Sequence, residues 1–143
     1  MKIYFSGSIR GGRENQKIYK SLINHLKKFG QVLTEHIGEE ATTDKGESLP
    51  DSNIHKRDME WLNQADVVVA EVTTPSLGVG YEIGRALETE KPILCLYKNE
   101  KERKISAMIK GAPQIENKPY KNLTEGKKFI SNFLKINEAT QGI

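Results

Sequence analysis

The sequence is short of several things, and each shortage removes a class of protein. Its single cysteine, Cys95, cannot form a disulfide within the chain, so a disulfide-framed scaffold is excluded. Three histidines, His25, His36 and His55, stand at no metal-ligand spacing, so no metal site is expected. No apolar run reaches the roughly 18–20 residues of a membrane helix, so no membrane span is expected. A net charge of +3 is too small to argue for a nucleic-acid partner, yet it suits a small phosphorylated ligand. There is no internal repeat and no low-complexity block. Met1 leads directly into a strand-like segment with no signal peptide pattern. The expected compartment is the cytoplasm, or also the nucleus in a nucleated host.

What is present is ordinary for a folded protein. Apolar residues make up 36% and charged residues 29% of 143 residues, which predicts one domain over 1–143 with its own core. Strand patterns fall at Lys2–Ser6, Gln31–Glu35, Asp66–Val72, Pro92–Tyr97 and, weakly, Gln114–Tyr120. Helical patterns fall at Glu14–Phe29, at Ser52–Gln64 capped by Asp51 or Ser52, and at Leu77–Glu90. A short helix is expected at Ser106–Ile109 and a closing helix at Thr124–Ile136, with 138–143 as a flexible tail. The polar stretch His36–Pro50 reads as a long loop of the kind that serves as a lid. The alternation predicts an α/β fold: a five-stranded parallel sheet flanked by helices, flavodoxin-like or Rossmann-like, ordered 2-1-3-4-5. Ligands bind such sheets beyond the carboxyl ends of the strands, where the order reverses. That point brings together the loops Gly7–Gly12 and Glu71–Gly78.

Both loops are unusual. Ser6-Gly7-Ser8-Ile9-Arg10-Gly11-Gly12-Arg13 offers close backbone amides, a hydroxyl and guanidinium groups before a helix N-terminus, the equipment of an anion site. It lacks the Gly-Lys-Ser/Thr ending of a P-loop and the Gly-x-Gly-x-x-Gly of a dinucleotide site, so a single phosphate is the better match. The same residues also read as a plain glycine-rich turn with solvated arginines. In the second loop Ser76 can cap a helix and still donate to a ligand, with Gly78 and Gly80 leaving room beside the first turn. Glu82 then falls in line with Val79, Ile83, Ala86 and Leu87, an ionisable group on an apolar stripe. Compensation of the helix dipole is the plainer reading. Asp58 shares a helical face with Ile54, Trp61, Leu62 and Ala65, where a capping role or a salt bridge, with Arg57 or a nearby lysine, is the plainer reading. Two inward carboxylates at one ligand-binding edge are the usual equipment for cutting a glycosidic bond. Cys95, in Ile93-Leu94-Cys95-Leu96-Tyr97, reads as a packed thiol with nothing to activate it.

Tyr4 through Arg13, Val32-Leu33-Thr34-Glu35-His36, and Asp58 through Glu82 to Arg85, most specifically Gln64–Thr73 with Pro75–Glu82, resemble the 2'-deoxynucleoside 5'-phosphate N-hydrolases of the nucleoside 2-deoxyribosyltransferase superfamily. The resemblance runs from Lys2 to about Gly111. It implies hydrolysis of 2'-deoxynucleoside 5'-monophosphates, with Glu82 as nucleophile, Asp58 assisting the departing base and Tyr4 orienting Glu82. It implies that Gly7, Ser8, Ile9, Arg10, Gly11, Gly12, Arg13, Ser76 and Gly78 surround the 5'-phosphate, and that no cofactor is needed. It also implies a homodimer in which Ser106, Ala107 and Met108 reach into the partner's site, and it puts His36 near the pocket. A deoxyribosyltransferase, a ribonucleotide N-glycosidase and a nucleotide sensor without turnover remain as alternatives.

Overall fold

A computed structural model describes residues 1–38, 48–100 and 104–141. The strands are β1 (Lys2–Gly7), β2 (Gln31–Val32), β3 (Val67–Glu71), β4 (Ile93–Lys98) and β5 (Ile115–Tyr120). They form one five-stranded parallel sheet in the order β2-β1-β3-β4-β5. The helices are α1 (Arg13–Leu26), α2 (Asp51–Gln64), α3 (Leu77–Glu88), α4 (Ala107–Lys110) and α5 (Leu123–Gln141). The expected order is observed, and the reversal lies between β1 and β3.

Alternation along the strands builds two cores. Ile3, Phe5, Val67, Val69, Leu94 and Leu96 pack against α1 and α5, represented by Leu22, Leu26, Ile130 and Leu134. Tyr4, Val68, Ala70, Ile93 and Cys95 pack against Leu62 of α2 and Val79, Ile83 and Ala86 of α3. Strands covered on both faces have to be apolar throughout, as Val67–Ala70 are. Cys95 is buried, and burial pushes its thiol up to about 12, as befits packing rather than nucleophilic chemistry.

Several boundaries differ from expectation for physical reasons. β2 ends at Val32 rather than Glu35. Beyond it, Thr34 Oγ1 accepts from Phe5 N at 2.9 Å and donates to Phe5 O at 2.6 Å, so a side chain takes over the backbone groups a ladder would use. Glu35–Gly38 then winds into a 3-10 turn, so the expected loop begins later, and residues 39–47 of it lie outside the described residues. α1 ends at Leu26, not Phe29. α2 starts from Pro50 with no side-chain cap, so Asp51 and Ser52 lie inside its first turn. α3 ends at Glu88, because Glu90 has φ 57, which a continuing right-handed helix does not admit. α5 continues to Gln141, so residues 138–141 are helix rather than tail.

Candidate active site

Strand alternation turns Tyr4 toward α2 and α3, where it is fully buried. Its phenol donates a hydrogen bond to Glu82 Oε2. Burial first, then the carboxylates of Glu82 and Asp58, push this phenol far above its ordinary value of 10.0, with Arg57 opposing. The hydroxyl therefore stays protonated and remains a donor. Glu82 stands in the second turn of α3 at the border of the stripe: Val79, Ile83 and Ala86 are buried, Glu82 half-buried. It borders a cavity of about 280 Å³ shared with Asp58, Gly78, Ile54, Met59 and Tyr81.

Asp58 is half-buried on α2, and its Oδ1 lies 3.0 Å from Arg57 NH2. The Arg57 guanidinium covers the Trp61 ring at 4.8 Å and lies 3.3 Å from His36 Nε2. The expected salt bridge is therefore present, and His36 stands behind it, its ring 5.5 Å from that of Trp61. The Arg57 guanidinium is thus a charge partner held directly against the Asp58 carboxyl.

The β1–α1 loop follows directly from Tyr4. At Gly7 a Cβ would lie 2.8 Å from the Tyr19 ring, so a larger residue would have to push that ring aside. Gly12, at φ 88, turns the chain into α1 in a conformation that side chains rarely adopt. Between them Ser8 is buried, Ile9 and Gly11 are half-buried and Arg10 is exposed. Arg13 opens α1, and its side chain lies outside the described residues. In the β3–α3 loop Ser76 caps α3, its Oγ accepting from Val79 N at 3.3 Å. Its hydroxyl proton is left to donate.

The first turns of α3 separate two cavities. Glu82, Asp58 and Gly78 share the one already described. Ser76, Ser106 and Met108 line a second, of about 550 Å³, with the apolar side chains of Val79, Ile83 and Ile109. Within one chain, then, Ser106 and Met108 approach Ser76 rather than Glu82. Ser106 caps α4, its Oγ accepting from Met108 N at 3.2 Å, while Ala107 is exposed.

Sequence reasoning missed two arrangements. Tyr81, on the rim of the smaller cavity, joins His55 Nε2 at 2.9 Å and Arg85 NH1 at 2.7 Å. Glu71 is a buried carboxylate that accepts from Thr73 N at 2.7 Å, from Thr73 Oγ1 at 3.0 Å and from the Tyr120 phenol. The second had a visible signal: one charge closing an otherwise apolar strand.

These features define an α/β protein with a tyrosine-braced carboxylate pair at the switch point of its sheet, beside a glycine-rich turn. The chain belongs to the nucleoside 2-deoxyribosyltransferase family, whose model matches residues 3–129. It is 55% identical over 112 residues to the 5-hydroxymethyl-dUMP N-hydrolase of Mus musculus, covering 77% of this chain and 65% of the mouse protein. It is 54% identical over 114 residues to the 5-hydroxymethyl-dUMP N-hydrolase of Tetraodon nigroviridis, covering 78% of this chain and 80% of that one. The fold is shared with a CMP N-glycosidase of Clostridium botulinum, at a TM-score of 0.68 and 18% identity, covering 92% of this chain and 99% of the other.

Proposed function

We propose that this chain hydrolyses the N-glycosidic bond of 2'-deoxynucleoside 5'-monophosphates, giving the free base and 2-deoxyribose 5-phosphate. The observation that carries the reading is Glu82, held by the Tyr4 phenol and facing a cavity it shares with Asp58. The names of relatives at 54–55% identity favour hydrolysis over transfer and make 5-hydroxymethyl-dUMP the first substrate to test.

Glu82 attacks C1' as the carbon–nitrogen bond breaks, and the bonding pair leaves with the base, which then takes a proton. Water attacks C1' of the resulting ester, restoring the carboxylate and giving its proton to Asp58 or to solvent. Both steps pass through oxocarbenium character, which a nearby carboxylate stabilises. Tyr4 fixes the attacking oxygens. Ser8, Arg10 and Ser76, with the amides of the two loops, hold the 5'-phosphate.

The working unit is a homodimer. Leu77 and Met108 are 97% and 81% exposed beside the larger cavity, and a second copy laid over them would bring Ser106, Ala107 and Met108 to its partner's substrate. Mixing Glu82→Ala subunits with Ser106→Ala subunits, each strongly impaired alone, restores activity if sites are shared, because one site of each mixed dimer carries neither defect. No recovery after verified exchange rejects sharing.

The reaction is tested by incubating the protein with a panel of deoxy- and ribonucleoside monophosphates and chromatographing the free base. Release from 5-hydroxymethyl-dUMP and other deoxynucleotides, with ribonucleotides slower, is expected. Ribonucleotides cleaved as fast, or base released only when a second base is supplied, would reject it.

A further inference from the structure

Glu71 closes β3 directly opposite Gly7 of β1, on the α1 and α5 face, and is 2% exposed. A carboxylate buried there is costly unless its lone pairs are used. They are used: two donors come from Thr73 and one from Tyr120. Burial, then the Glu71 carboxylate, push the Tyr120 phenol above its ordinary range, so it stays protonated as the donor. Thr73 Oγ1 in turn accepts from Lys98 N at 2.9 Å, and Asn15 Nδ2 of α1 donates to Thr74 Oγ1 at 2.8 Å. Tyr19 of the same helix lies under Gly7. The two loops that flank the switch point thus stand on one buried polar unit. None of its members lines the cavity of Glu82 and Asp58. An apolar residue at position 71 would leave the Thr73 and Tyr120 donors without this acceptor. What the carboxylate adds is direction, because it fixes the backbone of Thr73 just where the chain leaves the sheet for Ser76.

We propose that Glu71 is a positioning residue: by tying Thr73 to Tyr120 it holds the β3–α3 loop so that Ser76 and the first amides of α3 meet the 5'-phosphate of the substrate. The proposal rests on the phosphate reading given above and adds the device that presents the phosphate site.

The test compares a 2'-deoxynucleoside 5'-monophosphate with its parent deoxynucleoside on wild type, Glu71→Gln and Tyr120→Phe. Glu71→Gln is expected to raise KM for the monophosphate about tenfold with kcat within about twofold, since it loosens positioning and leaves the reacting groups in place. The parent deoxynucleoside, with no phosphate to place, keeps its kcat/KM. Tyr120→Phe acts in the same direction by about threefold, and it carries the test if Glu71→Gln does not fold. Thr73→Ser, which keeps the hydroxyl, behaves as wild type, whereas Thr73→Val follows Tyr120→Phe. Calorimetric titration with 2-deoxyribose 5-phosphate reads the same loss of affinity without turnover. Equal losses on both substrates, or an unchanged KM and unchanged sugar-phosphate affinity, overturn the proposal. If wild type itself neither prefers the monophosphate nor binds the sugar phosphate, the substrate reading falls and takes this inference with it. If wild type does both and the variants lose both substrates equally, only the inference falls.

Discussion

Two tyrosine–glutamate pairs flank the same sheet. Tyr4 donates to Glu82 on the face covered by α2 and α3, and Tyr120 donates to Glu71 on the face covered by α1 and α5. The hydrogen bond is the same in kind, and the surroundings are opposite. Glu82 borders a cavity that holds a second carboxylate, while Glu71 is sealed in and shared among three donors from Thr73 and Tyr120. A buried carboxylate whose acceptor sites are saturated by its own chain organises structure. One braced by a tyrosine at the border of a cavity can meet a substrate. Residue type alone would not separate them; burial and the space each carboxylate borders do.

The contrast is sharpest when each carboxylate is removed. Glu82→Ala is expected to lower turnover by at least ~10³-fold, as loss of a covalent nucleophile does, with the melting temperature held. Glu71→Ala instead strands the Thr73 and Tyr120 donors and costs about 1–3 kcal/mol of stability. Single-turnover assays and thermal melts on the two variants check both halves. An active Glu82→Ala enzyme, or a destabilised one beside an unaffected Glu71→Ala, would reverse the assignment.

Substrate phosphate separates the two sides next. Removing the 5'-phosphate is expected to lower kcat/KM about 10²-fold, because the anchored phosphate places C1' over Glu82. Ser76→Ala and Arg10→Ala should each shrink that preference by weakening the monophosphate alone. Deoxynucleosides cleaved as fast as their monophosphates would point to the transferase alternative.

Much of this was legible in the sequence, and the reasons are specific. The parallel sheet covered on both faces follows from the alternating periodicities, and the order 2-1-3-4-5 with its switch point from the flavodoxin-like type that five such strands suggest. Asp58 and Glu82 stood out because a charge on an apolar stripe is rare. Glu71 carried the same signal, but its partner Tyr120 is 49 residues away on an edge strand, and sequence spacing does not show that pairing. The early end of β2 was equally hidden, since it depends on Thr34 bonding Phe5 across 29 residues. Nor did periodicity show that α3 divides the site region into two cavities, with Ser76 and Glu82 on different sides. That depends on where α2 and α4 lie beside α3.

Removing the tyrosines tests the braces themselves. Tyr4→Phe is expected to slow turnover about tenfold by loosening Glu82. The loss should fall on kcat more than on KM, because the phenol holds the reacting carboxylate rather than the phosphate site. Because the Tyr4 phenol is itself pushed upward, it introduces no alkaline limb below its ordinary value of 10.0. Tyr120→Phe, its counterpart, should raise KM for the monophosphate and leave kcat near that of wild type. A kcat loss in both variants, or in neither, would erase the distinction between the two pairs.

A last expected effect lies away from both pairs, at Cys95, which shares the Tyr4 face of the sheet. Burial raises its thiol from 9.0 to about 12 in the folded chain, so only the neutral form is accommodated. A folded value above the unfolded one means the contribution is fully present below pH 9.0 and is lost as pH rises toward 12. The loss approaches about 1.4 kcal/mol per pH unit, because in that window the unfolded chain releases a proton that the folded chain keeps. Cys95→Ala removes this term while leaving every tyrosine in place. Its destabilisation relative to wild type, from the packing it loses, should therefore shrink as pH rises above 9.0, the tyrosine contributions cancelling in the difference. Urea midpoints of the two proteins across that range measure it. A difference that does not change with pH would show that the thiol ionises as readily in the folded chain as in the unfolded one, and that this face of the sheet is open where the core packing closes it.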